Sequence, residues 1–166
     1  MTLRLRFNLL ITLIMLFLII ALASITVTSS KRSIQEGVES ANKVTLQYLE
    51  TIIVRSVQNP EWGSTHDVVR RFLRQLGYVR SNDIFLFNQQ GEITYQSPSS
   101  SYKVDVQPPQ WFSNFIAPKK ESNSRLIDSG RLVVQSNASG AIRGAWVDLR
   151  TIYSTTIFFF LLFNFF

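Results

Sequence analysis

An uncharged apolar run over residues 7–27 constrains this chain more than any other feature of its sequence. Two arginines precede the run, and Lys31 and Arg32 follow it. The hydrocarbon core of a bilayer requires about 20 predominantly apolar helical residues, and this run has that length. The sequence therefore predicts a membrane-spanning helix over residues 7–28, preceded by a cytoplasmic tail of residues 1–6.

Two alternatives to an uncleaved anchor remain open. Ala21 and Ala23 have the small-x-small spacing of a signal-peptide cleavage site, although the apolar part of a signal peptide usually runs only ~7–15 residues. A helix buried inside a soluble domain is the other alternative, and a helix that is apolar on all sides is rare outside membranes. The short basic tail favours a cytoplasmic N-terminus, which places residues 29–150 in the periplasm of a bacterial inner membrane.

Composition narrows the function classes. The chain of 166 residues contains no cysteine, which excludes disulfides, thiolate catalysis and cysteine-ligated metals. The formal net charge of +6 is spread along the chain. Nucleic acid is therefore not an expected partner for a chain that begins in a membrane. About 120 residues separate the two apolar ends, enough for one modest domain.

After the apolar run, side chains suited to burial recur at alternating steps of four and three, which is helical spacing. These residues are Ile34, Val38, Ala41, Thr45, Tyr48 and Ile52. The pattern predicts a juxtamembrane helix that continues straight out of the membrane until Pro60. Two interpretations remain open: the helix packs only on its own domain, or it also pairs with a second copy. The dimer interpretation uses Ile34, Val38, Ala41 and Tyr48, because a/d-like spacing suits parallel pairing.

The rest of the domain predicts an α+β fold with a small antiparallel four-stranded sheet and flanking helices. A second helix is expected to start at Ser64, whose spacing to Asp67 resembles a capping box, and to stop at Gly77. Hairpins are expected over residues 84–96 and 124–135. A short amphipathic turn is expected at 110–116, and a further helix from Ala138.

The C-terminal residues 151–166 are almost wholly apolar and rich in phenylalanine. They predict the start of a second transmembrane helix, with Trp146 and Tyr153 suited to the membrane interface. Because the segment reaches only the lower edge of a span, we expect the chain to be truncated before its natural end.

Four segments, residues 2–10, 31–36, 109–112 and 145–150, resemble the LapD/MoxY-type periplasmic input domain. This family occurs at the start of MoxY-like sensor histidine kinases and of some cyclic-di-GMP receptors. The resemblance implies a periplasmic sensor whose signal passes along two membrane helices to an output domain beyond this chain.

Few residues carry recognisable chemistry, and no enzymatic activity, cofactor or metal is expected. Arg70, Arg71, Arg74 and Arg80 form either an anion-binding lip or an ordinary solvated face, and Trp111 lines a pocket or covers the core. His66 is expected to be exposed or to cap a helix. The expected function is the sensory input of a two-component histidine kinase. The expected partners are a second copy, membrane lipid and an unidentified periplasmic ligand or protein. The alternative is an anchored or secreted periplasmic binding or adhesion module.

Overall fold

A computed structural model describes residues 3–165, with side chains described for residue 7 and residues 9–162. Part of the predicted tail and residue 166 of the predicted second span lie outside the described residues. Within residues 3–165, four α-helices and four strands follow one another. They are α1 (Leu3–Gln58), α2 (Thr65–Leu76), β1 (Asn82–Asn88), β2 (Ile93–Gln96), α3 (Gln110–Ile116), β3 (Ser122–Ile127), β4 (Gly130–Ser136) and α4 (Ser139–Phe165). The predicted α+β class is confirmed.

Helix α1 is continuous for 56 residues and passes the predicted domain boundary at residues 28 and 29 without interruption. At 1.5 Å per residue it is about 84 Å long. It ends before Pro60, which opens a short 3₁₀ turn over Pro60–Trp62. The prediction that one helix continues from the apolar run into the domain is confirmed.

Helix α2 begins as its sequence predicts. The Ser64 hydroxyl accepts a hydrogen bond of 3.1 Å from the backbone N–H of Asp67 and donates one of 2.8 Å to the Asp67 carboxylate. The hydrogen bond from Ser64 is the main reason why the pKa of Asp67 lies below its usual value. Gly77, at φ +66°, ends the helix in a backbone conformation that glycine adopts readily.

The four strands form one antiparallel sheet in the order β2-β1-β4-β3. Each predicted hairpin is present, and the longest pairing joins β1 to β4, from Asn82 opposite Ser136 to Asn88 opposite Gly130. Alternate residues of the two central strands are buried. The sheet therefore turns one face toward α1 and α2.

Two separate groups of buried apolar side chains hold the fold together. The sheet cluster lies between the sheet, α1 and α2, and comprises Leu49, Val69, Leu73, Ile84, Leu86, Leu132 and Val134. The helical cluster joins α1, α3 and α4, and comprises Ile34, Val38, Phe112, Ile116 and Leu149. Among the described side chains, those of α1 alone belong to the core of both clusters, so α1 connects the sheet to the helical part of the chain.

Polar contacts also attach α1 to the sheet. Asn82 is 1% exposed and donates from Nδ2 to Thr45 Oγ1 of α1 at 3.0 Å. Asn42 donates to Glu121 at 3.2 Å, just before β3. Because a buried polar group without a partner is costly, these hydrogen bonds favour one position of α1 against the sheet.

No described side chain in the apolar part of α1 is buried within the chain; each is exposed or partly exposed. None of the residues in its most hydrophobic 18-residue window is buried, and the corresponding window of α4 is 11% buried. Both helices are long and apolar enough to cross a membrane. The alternative that residues 7–27 form the buried helix of a soluble domain is therefore wrong for this structure.

Candidate functional site

The four arginines of the predicted cluster lie in different local environments. Arg70 Nη2 lies 3.1 Å from the Asp67 carboxylate on the same helix, and Arg71 donates to the backbone carbonyl of Trp62. Arg74 is exposed near the end of α2, and Arg80 is exposed in the turn before β1. Two of the four guanidinium groups thus already have partners within the chain, so an anion would compete with existing contacts.

His66 corrects an expectation from the sequence. His66 is 8% exposed, and the cap of α2 is Ser64, so His66 is neither exposed nor the helix cap. Its Nε2 lies 3.0 Å from the hydroxyl of Thr94 in β2. That hydroxyl donates to the carbonyl of Leu86 in β1 at 3.1 Å, so the histidine Nε2–H donates to Thr94. A chain of two hydrogen bonds therefore runs from α2 through β2 to β1 and gives His66 a structural role.

The neighbouring Thr65 adds a second buried polar contact at the start of α2. Thr65 is 2% exposed and donates a hydrogen bond of 2.8 Å to Asp128, in the turn between β3 and β4. The start of α2 is thus attached to strand β2 and to the turn between β3 and β4. Among the described residues, no group of three or more His, Cys, Asp and Glu side chains is placed to hold a metal ion.

The predicted dimer residues divide between two environments. Ile34 and Val38 are 8% and 5% exposed and pack on α3 and α4 of the same chain. This corrects the prediction that Ile34 and Val38 belong to a pairing face, because their side chains are already buried within the chain. Tyr48 is 65% exposed, and Ala41 is partly exposed. The open face of α1 is therefore displaced from the one predicted.

That open face of α1 borders a shallow groove of about 420 Å³ against α2. It is lined by Val44, Gln47, Tyr48, Thr51, Ile52, Arg55 and Phe72. Ala41, Val44, Tyr48, Thr51 and Arg55 follow one another at steps of three, four, three and four, so they share one helical face. Val44 is 50% exposed. The sequence pattern contains this set, but the neighbouring apolar residues of the buried face obscure it.

A second exposed apolar feature is the aromatic surface of α3. Trp111 is 65% exposed, and Phe115 is 54% exposed. About 100° around the same helix, Phe112 and Ile116 are almost fully buried in the helical cluster. The prediction for Trp111 is thus resolved in part, because its neighbour Phe112 fills the core while Trp111 lies at the edge of it.

The aromatic rings are arranged in contact with one another. The Trp111 ring lies edge-on to Phe112 at 5.8 Å and to Trp146 of α4 at 6.2 Å. Lys31 Nζ of α1 lies 4.8 Å from the centre of the Phe115 ring. Helices α1, α3 and α4 thus meet at a surface where aromatic rings and a lysine lie together.

Comparisons with protein-family models, with curated proteins and with solved structures found no match to this chain. The geometry of the chain itself is therefore the basis for the functional proposal.

Proposed function

We propose that this chain is a membrane-anchored sensory input module that passes a signal through two helices. The observation that carries the proposal is the pairing of α1 and α4. They pack together in the helical cluster, and each continues as an apolar helix with exposed side chains. A change at the sheet would thus reach two membrane helices through one set of contacts.

The finer assignment follows the resemblance to LapD/MoxY-type input domains. We propose that residues 29–150 lie in the bacterial periplasm and that the output is a two-component histidine kinase beyond this segment. The continuous connection of the sheet domain to the apolar part of α1 supports a sensory role. A stimulus acts in such a module by favouring one of two arrangements of the domain.

The topology is tested with single cysteines, because the chain has none of its own. We expect Ser99→Cys, at an exposed position, to react with a membrane-impermeant maleimide in intact cells. Thr2→Cys should react only after the inner membrane is permeabilised. The opposite labelling pattern would reverse the topology. Labelling of both sites only in the soluble fraction of broken cells would contradict the membrane anchor.

We also propose that two copies pair along the open face of α1, at Ala41, Val44 and Tyr48. A helix that leaves the membrane beside an identical helix is held parallel to it, and heptad-like spacing suits that arrangement. Tyr48 contributes the largest exposed side chain of the face. This placement keeps Ala41 and Tyr48 from the sequence prediction and replaces Ile34 and Val38 by Val44.

Disulfide formation in membranes tests the pairing. We expect Tyr48→Cys to give a covalent dimer when an oxidant is added. The matched control is Lys43→Cys, which is exposed on the same helix but about 140° around its axis from Tyr48. Equal cross-linking at both positions, or none at Tyr48→Cys when Lys43→Cys reacts, would contradict pairing along this face.

A further inference from the structure

We infer that α3 is an interfacial helix that inserts Trp111 and Phe115 among the phospholipid headgroups beside the two apolar helices. This inference rests on the proposed membrane anchoring. The partner of α3 in this inference is the lipid surface. α3 would lie along this surface, whereas α1 and α4 cross the bilayer.

The two faces of α3 provide the first argument. Phe112 and Ile116 fix the helix to the helical cluster with 1% and 0% exposure, whereas Trp111 and Phe115 remain 65% and 54% exposed. Packing within the chain therefore holds two large aromatic side chains outward in fixed positions. Tryptophan is enriched at the membrane–water interface because its ring is amphipathic.

The depth of α3 follows from α1. If residues 7–27 fill the hydrocarbon core, Lys31 lies about 6 Å beyond its edge at 1.5 Å per residue. The headgroup layer is roughly 5–7 Å thick on each side. Because Lys31 Nζ contacts the Phe115 ring, Phe115 lies at the depth of the headgroups.

Helix α4 gives the same depth independently. Trp146 precedes the apolar segment that starts at residue 151 by about 7.5 Å of helix, at the outer edge of the headgroup layer. Trp111 packs edge-on against Trp146, so it too lies at the level of the headgroups. Two helices that enter the bilayer thus place both exposed rings of α3 in the same layer.

The charges around α3 fit a phospholipid surface. Lys31 lies over Phe115, and the exposed Lys119 and Lys120 follow the end of α3 after Pro118. Lysine side chains extend their ammonium groups toward the polar layer while their alkyl chains cover apolar surface. Phosphate groups of lipids would be placed beside these ammonium groups.

Fluorescence quenching in reconstituted vesicles tests the inference. The full chain is placed in phosphatidylcholine/phosphatidylglycerol vesicles that carry a nitroxide on the lipid headgroup. The variant Trp62→Phe/Trp146→Phe retains Trp111, and Trp111→Phe/Trp146→Phe retains Trp62, which is 46% exposed. Trp62 lies beyond the end of α1, about 46 Å of helix from Val27, and is the matched control.

We expect the headgroup nitroxide to quench roughly half of the Trp111 emission, because an interfacial tryptophan lies beside the lipid headgroups. Trp62 emission should remain unchanged. Trp62→Phe alone keeps Trp111 and Trp146 and leaves the helical cluster intact. Its combined tryptophan emission should also be quenched, because both rings are placed at the level of the headgroups. Equal quenching of Trp111 and Trp62 would overturn the inference. If the vesicles float with the chain but Trp111 is not quenched, only the role of α3 fails; if the chain does not float with them, membrane anchoring fails as well.

Discussion

The replacement Phe112→Ala tests whether the helical cluster is a cooperative unit distinct from the sheet cluster. Phe112 is 1% exposed, and its ring lies 5.0 Å from Trp146 and 5.8 Å from Trp111. Removing a buried phenylalanine side chain costs about 3–5 kcal/mol through lost burial and the cavity left behind. The two aromatic contacts place the expected cost in the upper half of that range.

This loss of stability can be measured as faster amide hydrogen exchange. Because about 1.4 kcal/mol corresponds to a tenfold change in an opening equilibrium, about 4–5 kcal/mol predicts roughly 10³-fold faster exchange, or somewhat more, wherever the helical cluster opens by itself. We expect this acceleration in residues 110–116 and 139–149 of the full chain in detergent micelles, measured by mass spectrometry. Strands β1 and β4 should retain their protection, because they contribute no side chain to the helical cluster.

The matched control is Leu132→Ala, which removes a side chain of 2% exposure from the sheet cluster. Its cost of about 2–5 kcal/mol should accelerate exchange in β1 and β4 and leave residues 110–116 nearly unchanged. If both variants accelerate the strands and α3 equally, the two clusters open as one unit and the division proposed here is wrong.

Three further predictions concern single positions. Asn82→Ala should lower the free energy of unfolding by about 1–3 kcal/mol in a urea titration, because a buried hydrogen bond to α1 is lost; unchanged stability would contradict that role. Gly130→Ala should prevent native folding or lower the melting temperature strongly, because a Cβ at this position would lie 1.9 Å from the carbonyl oxygen of Phe87. In the control Gly37→Ala, the added Cβ meets no atom within 4 Å, so this variant should stabilise α1 by roughly 0.5–1 kcal/mol. Ser64→Ala should raise the pKa of Asp67, as measured by an NMR titration. Because the pKa of Asp67 is lowered in the folded chain, its carboxylate stabilises the parent chain above pH ~4. This contribution is lost as the pH falls through the lowered pKa.

Local signals predicted most of the fold. Pro60, the Ser64 cap and Gly77 mark helix ends through backbone constraints that act within a few residues. Gly91, at φ +81°, closes the first hairpin in the conformation that its turn requires. Features of this kind depend on neighbouring residues in the chain, so one sequence is enough to recognise them.

The site could be predicted only in part, because tertiary contacts decide which side chains remain exposed. Ile34 and Val38 have the spacing of a pairing face, but α3 and α4 cover them. His66 lies in a polar stretch of sequence, yet Thr94 and the sheet enclose it. In both cases the partners lie at least 28 residues away along the chain, and periodicity carries no information about them.

The unbroken course of α1 has a mechanical consequence. A flexible linker between a sheet and an apolar segment would let each turn independently, whereas a helix of 56 residues requires them to rotate together unless its backbone hydrogen bonds break. Leu49 in the sheet cluster and Ile34 in the helical cluster belong to this same helix, which acts as a rod. A twist applied at the sheet would therefore arrive at the other end of the rod as a twist of the same sense.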